Sequence, residues 1–477
     1  MVDCLKRFFV AMLRCFFMGP IYPIIVCLIV FLGYVYEIEF YLNVINVLLA
    51  VVMLSVCDSL RPFIVVVASY VYQISVAHSP SFPANSDYLI TPPGLYLTVS
   101  LFVLAGIALI RFFIRNNLIS LQILKSLPML PAFFMLSFAF LVNGAFSGAW
   151  NMASLAYGLL NILAFFGIFY IFYLGFRNER AVPLLKYLSY VSALMALVLI
   201  SEVIWVYKFG GVFDQGSVLK SKILFGWGNW NTMGQNLTVL IPVIFYGAMK
   251  NKCPWFYFGV ATATLVAAIL TLSRNALIFA TLSYAVCVVI ACFFGNNQKA
   301  FRVILPTGVA GIAVGVVVFW EKLSVTFADF LDRGLSDNGR FDLYHRGIAE
   351  FLEAPLFGKG FFGIDTDIAN FVDFFPDMMH NTPVQLLASM GIVGFIAYLY
   401  YRYRTVKLVL KRPSLEKTMI AMSLFVLALQ SLLDNFIFYV QPMIYYSIAL
   451  AVCVKLDESP TSVSTYGKQI KNFRENY

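Results

Sequence analysis

The sequence predicts an all-α polytopic membrane protein of about 12–14 transmembrane helices, with one large extracytoplasmic loop carrying short helices. Three observations predict it. Of 477 residues, 61% are hydrophobic and only 12% charged, against about 45–50% and about 25% in soluble domains. Apolar runs of roughly 16–22 residues recur almost without pause, and a run of about 18 reads as a membrane span. Lipid-facing backbone must satisfy its own hydrogen bonds, so the spans are helices. Third, basic residues concentrate in alternate connecting loops, which orients the chain. A soluble enzyme, a disordered chain and a fibre are excluded by the composition alone.

Taken in order, residues 1–20 set Lys6, Arg7 and Arg14 among Phe and Leu and read as a cytoplasmic, interfacial anchor. No small-residue cleavage site follows them. Fourteen candidate spans centre near 21–36, 40–56, 62–78, 93–111, 128–144, 153–174, 187–206, 233–249, 255–272, 275–294, 303–320, 382–400, 418–436 and 440–455. Eleven helices thus fill 21–320, a loop follows at 321–381, three helices fill 382–455, and 456–477 is a cytoplasmic tail. With the N-terminus inside, 24 of the 33 basic residues fall on the cytoplasmic side, which supports an even span count with both ends inside. The run Arg402, Arg404, Lys407, Lys411, Arg412 and Lys417 is the densest of these. The net charge of +9 therefore reports topology and gives no reason to invoke nucleic acid. The eight cysteines lie in spans or inside, with neither disulfide nor zinc-site spacing.

Three outside segments are long enough to carry function: 79–92, 207–232 and 321–381. The last holds eleven acids, five bases and an amphipathic helix over Phe341–Glu353, capped by Asp337 or Asn338 and stopped by Pro355. A glycine-rich turn follows at Phe357-Gly-Lys-Gly-Phe-Phe-Gly363. His380, one of three histidines, closes this loop where the next span begins, and is either a general base or a polar residue ending a helix. Arg274 sits between two spans with almost no loop. An arginine there is costly, which suggests a bound anion, against the simpler reading of snorkelling to headgroups. Arg340 opens the amphipathic helix, where guanidinium and helix dipole together suit a phosphate; a loop salt bridge is the alternative. Glu202, an acid inside the seventh span, needs a partner, with Lys208, Lys220, Lys222 and Arg274 in range of the sequence, and is functional or structural with equal weight. Glu37 and Glu39 form a weak metal-type carboxylate pair, more simply read as interfacial acids.

Taken together, these residues resemble the O-antigen ligase and O-antigen polymerase superfamily of bacterial membrane glycosyltransferases. The motifs are His380-Asn381, then nine residues, then Gly391-Ile-Val-Gly394; Ser273-Arg274 at the outer end of a span; Gly339-Arg340 followed by Pro355-Leu-Phe-Gly-Lys-Gly360; and Phe225-Gly-Trp-Gly-Asn-Trp-Asn-Thr232. Tyr344 stands where relatives often carry Trp, and the 207–232 loop offers Lys208, Lys220 and Lys222 in place of a further arginine.

The resemblance implies a metal-independent, inverting transfer of glycan from an undecaprenyl-diphosphate donor to an acceptor hydroxyl, on the outer face of the bacterial inner membrane. It implies His380 as base, Arg274 and Arg340 on the donor diphosphate, and support from Asn381, Asn231, Lys222 and Glu202. No cofactor is expected. The acceptor is a lipid A-core in a ligase, the reading favoured here, and another lipid-linked unit in a polymerase. A lipid-oligosaccharide flippase is the competing class, but no repeated halves are visible.

Overall fold

The computed structural model describes residues 2–70, 94–120, 126–148, 150–214, 217–326, 339–364 and 378–458, together with 72, 92, 328 and 376. Sixteen helices carry nearly all of it: α1 (Val2–Met18), α2 (Ile21–Tyr36), α3 (Glu39–Val56), α4 (Phe63–Tyr70), α5 (Gly94–Arg115), α6 (Leu130–Leu141), α7 (Met152–Gly175), α8 (Ala181–Phe209), α9 (Trp230–Lys250), α10 (Pro254–Leu270), α11 (Arg274–Phe293), α12 (Gln298–Thr326), α13 (Arg340–Glu353), α14 (Thr382–Leu410), α15 (Leu415–Leu433) and α16 (Val440–Glu458). Each of the fourteen expected spans overlaps one of these helices, the one at 62–78 over Phe63–Tyr70 alone, most of its remainder lying outside the described residues. Among the described residues six helices are long and apolar enough to cross a membrane, α5, α7, α8, α11, α14 and α15, and the bent pair α1–α2 would make a seventh. The helices in the α3, α6 and α10 positions are apolar but shorter. Residues 79–91 of the expected outside segment, the caps at Asp337 and Asn338, much of 321–381 and residues 459–477 of the C-terminal tail lie outside the described residues.

The N-terminal anchor is a helix, α1, whose Leu5, Phe8, Phe9 and Met12 are exposed at helical spacing. It bends by 65° into α2, so one apolar face is presented to whatever adjoins the bundle, as an interfacial helix requires.

The core is built around α9 and α16. From Thr232 to Met249 every residue of α9 is buried, and α16 is buried over nearly its whole length. A helix apolar all round has no preferred outer face and belongs at the centre of a bundle. Around α9 pack α8, α10, α11 and α15. Side-chain caps fix the helix starts: Asn151 for α7, Asn229 for α9, Ser273 for α11, Asn381 for α14 and Ser414 for α15. Each oxygen satisfies an orphan N–H that lipid could not. Among the described residues, one short pair of antiparallel strands, Phe213–Asp214 with Ser217–Val218, interrupts the loop before α9.

Candidate active site

The geometry around His380 begins with a broken helix. Asn381 caps α14, its Oδ1 accepting from the Val384 N–H at 3.1 Å. After nine intervening residues the helix breaks at Gly391, with φ 62° and ψ −162°. The Pro355–Gly360 turn docks on that break through four backbone bonds. Lys359 N–H donates to the Ala388 carbonyl (2.8 Å) and Gly360 N–H to that of Ser389 (2.9 Å). Ile392 and Val393 N–H donate to the carbonyls of Pro355 (2.9 Å) and Leu356 (3.2 Å). A Cβ on Gly391 would collide with the Leu356 backbone. The nine-residue spacing of the His-Asn…Gly-x-x-Gly motif is thus the length of one short helical segment, anchored at its far end by the other glycine motif. Gly391→Ala should cost on the order of 3 kcal/mol, from a strained φ and a backbone clash. Gly259→Ala, in open space on α10, should leave the thermal unfolding midpoint of the purified protein nearly unchanged, and equal midpoints for the two variants would refute the docking role.

His380 itself has a left-handed backbone, φ 49°, a strained state found where surroundings dictate the conformation. Its neighbours supply that constraint. The Met379 N–H donates to Gln385 Oε1 at 2.8 Å, and Asn435 Nδ2 donates to the same oxygen at 2.7 Å. Tyr344 Oη donates to the His380 carbonyl at 3.3 Å. Asn381 Nδ2 donates to the Leu432 carbonyl at 3.0 Å. Backbone on both sides of the imidazole is therefore tied to α13, α14 and the end of α15.

The imidazole meets Asp434, whose Oδ1 lies 2.8 Å from Nδ1. The histidine side chain is 32% exposed and the aspartate 3%. Asp434 ends α15 and also accepts the Asn435 N–H at 2.9 Å. Its charge raises the imidazole above its ordinary pKa; burial and the Arg340 charge oppose the rise without cancelling it. Burial works to raise the Asp434 carboxyl, but the His380 charge and hydrogen bond, then Arg340 and the Asn435 N–H, hold it below the usual carboxylate value. An ionised carboxylate only accepts, so Nδ1 carries the hydrogen and Nε2 is the basic nitrogen when the ring is neutral.

Arg340 opens α13 directly after Gly339 and donates from Nη1 to the Leu433 carbonyl at 2.7 Å. It is therefore beside the dyad, and its charge is felt by both members. The helix it opens differs from a plain amphipathic packing. Leu343 and Gly347 are its buried residues, while Phe341, Ile348 and Leu352 stay exposed, because α13 docks on Met379 and Val384 through Gly347.

Arg274 is the first residue of α11 and half-buried. Ser273 donates from Oγ to Asn231 Oδ1 at 2.8 Å, joining the Ser-Arg and Asn-bearing motifs. Asn275 donates to the Gln430 carbonyl at 3.2 Å, one turn before Asp434. Arg274 thus starts a helix laid against the helix end that carries the dyad's acid, with helix N-termini of α9 and α11 side by side.

Glu202 departs from expectation. Among the described residues no lysine or arginine pairs with it; Trp227 Nε1 donates to its Oε2 at 3.0 Å, and the side chain is fully buried in α8. A neutral indole donor serves one carboxyl oxygen without burying a second charge, while Oε1 has no hydrogen-bond partner among the described residues. Lys222 is exposed on a 3-10 turn, whereas Lys220 is buried over the Trp230 ring. Among the described residues no group of three or more His, Cys, Asp or Glu side chains is placed to hold a metal. Glu37 is exposed at the end of α2.

Asp434 is the functional candidate that sequence reasoning missed. It had a signal: an acid at the end of an apolar span, followed by Asn435, is costly enough to need a purpose.

Residues 259–399 match the family described as O-antigen ligase, and the match contains Arg274, Arg340, His380 and both glycine motifs. No curated protein matches the chain.

Proposed function

We propose, for a chain whose residues 259–399 match the O-antigen ligase family, a metal-independent inverting glycosyl transfer from an undecaprenyl-diphosphate-linked glycan to an acceptor hydroxyl. The observation that carries the reading is the 2.8 Å His380–Asp434 pair with Arg340 beside it. His380 Nε2 takes the acceptor's proton as its oxygen attacks the anomeric carbon from the face opposite the diphosphate. The carbon–oxygen bond to the diphosphate breaks, and the leaving group keeps the electron pair. One displacement inverts the anomeric centre. Asp434 keeps Nε2 as the basic nitrogen and stabilises the imidazolium that forms. Charge growing on the leaving diphosphate meets the Arg340 and Arg274 guanidiniums and nearby helix starts. Asn381 and Asn231 hold the backbone and Ser273 in register, and Lys222 supplies a further cation from the loop before α9.

Loss of one such fixed donor costs about 100- to 1,000-fold in turnover. Arg340→Ala is expected in that range in a transfer assay with purified protein and lipid-linked glycan, and Arg274→Ala at about tenfold or more; unchanged kinetics would remove either from the site. Transfer should persist in EDTA. Loss there, restored by magnesium or manganese, would redirect attention to Glu37 and Glu39.

The acceptor favoured is a lipid A-core, which makes the protein a ligase working on the outer face of the inner membrane with both termini cytoplasmic. The same assay run with and without lipid A-core separates the readings. Glycan on lipid A-core supports ligation, lengthened lipid-linked chains would make it a polymerase, and donor movement without a new glycosidic bond would make it a flippase.

A further inference from the structure

We propose that the end of the bundle opposite His380 carries a binding site for the headgroup of an anionic phospholipid. The site is a groove of about 680 Å³ where α6 begins and α7, α14 and α16 end. Its cations are Arg404, Lys407 and Lys411, on one face of the last turns of α14.

The structure divides a basic run that composition reads only as topology. Arg402 donates to Tyr446 Oη at 3.0 Å. Arg412 donates to the Asp457 carbonyl at 3.0 Å, and Lys417 pairs with the Asp457 carboxylate at 2.8 Å. Asp457 and Glu458 are the acids in the groove wall. Glu458 is taken by Lys455 and by Tyr173 Oη, each at 3.0 Å. Both acids are thus neutralised by cations from outside the trio. Arg404 donates to Tyr400 Oη at 2.8 Å, a neutral partner. Among the described residues, no salt bridge joins Arg404, Lys407 or Lys411 to an acid. Three like charges within two helical turns repel one another, and an anion in the groove relieves that repulsion.

A lipid fits better than a soluble anion because of what adjoins the groove. The i+4 row Leu399–Tyr403–Lys407–Lys411 passes from apolar to basic along α14. Ile396, Leu399 and Tyr403 are exposed, as are Phe134 and Phe138 on the neighbouring α6. Tyrosine at this level marks the headgroup zone of a bilayer, and basic pockets between helix ends hold phosphate headgroups. The phosphate would lie among Arg404, Lys407 and Lys411, with acyl chains along the exposed apolar row.

The test uses the full-length protein in neutral detergent, titrated with dioleoyl phosphatidylglycerol, dioleoyl phosphatidylcholine or inorganic phosphate. Binding is read by native mass spectrometry and by the thermal unfolding midpoint. Phosphatidylglycerol should be retained over phosphatidylcholine and raise the midpoint, less so at high salt. The triple variant R404Q/K407Q/K411Q should bind phosphatidylglycerol roughly a hundredfold more weakly, with its midpoint in phosphatidylcholine unchanged. Should that variant fail to fold, Lys407→Gln and Lys411→Gln singly should each weaken binding about fivefold. Equal retention of the two lipids, or undiminished phosphatidylglycerol binding by the variants, would overturn the proposal. A midpoint rise reproduced by phosphate alone would also overturn it, in favour of a soluble-anion site.

Discussion

Replacing His380 by Ala should lower glycan transfer by about 100- to 10,000-fold, the usual contribution of a positioned general base, while donor binding changes little. The imidazole is the one basic group held by the dyad, and the Asp434 carboxylate behind it is too buried to reach an acceptor. The substitution also strands that carboxylate, leaving it the Asn435 N–H and the nearby Arg340 charge. A lower unfolding midpoint should therefore accompany the lost turnover, on the order of 1–3 kcal/mol. Turnover must be compared on folded protein, and near wild-type turnover by folded His380→Ala would remove the base assignment.

Asp434→Asn should cost about 100- to 1,000-fold in turnover, with a smaller change in KM. The substitution keeps the shape and removes the charge. An asparagine amide can donate to Nδ1, which moves the ring hydrogen to Nε2 and blocks the nitrogen that must accept the proton. It also removes the charge that stabilises the imidazolium. Asp434→Glu, which restores a carboxylate on a longer arm, should recover part of the loss. A role in folding alone predicts instead that Asn and Glu variants fail alike, with kcat and KM tracking the folded fraction.

Much of this was legible in the sequence because its causes are local. Apolar runs marked every helix that the structure contains over the fourteen expected spans. His380-Asn381, Arg340 and Ser273-Arg274 were visible as polar residues at the starts of helices, where capping and charge have physical reasons to occur. The glycine spacings were visible too, although their cause was not: Gly391 is required by the approach of Leu356, which no one-dimensional pattern reports. Asp434 escaped because it lies 54 residues from His380 along the chain, and only the packing of α14 against α15 joins them. The partner of Glu202 escaped for a related reason. Charge complementarity suggested lysine or arginine, whereas the fold brings the indole of Trp227 from the following loop.

The most direct test of the account is the pH dependence of transfer by wild type and Asp434→Asn. Transfer needs a neutral imidazole, so the rate falls as pH drops through the His380 pKa. Asp434 raises that pKa, whereas burial and Arg340 lower it. Wild type should therefore lose activity on acidification at a higher pH than a free imidazole would titrate. The acid limb of Asp434→Asn should move to lower pH, beneath a lower plateau. An acid limb that stays in place in the variant, or moves upward, would contradict the claim that the His380–Asp434 pair supplies the base.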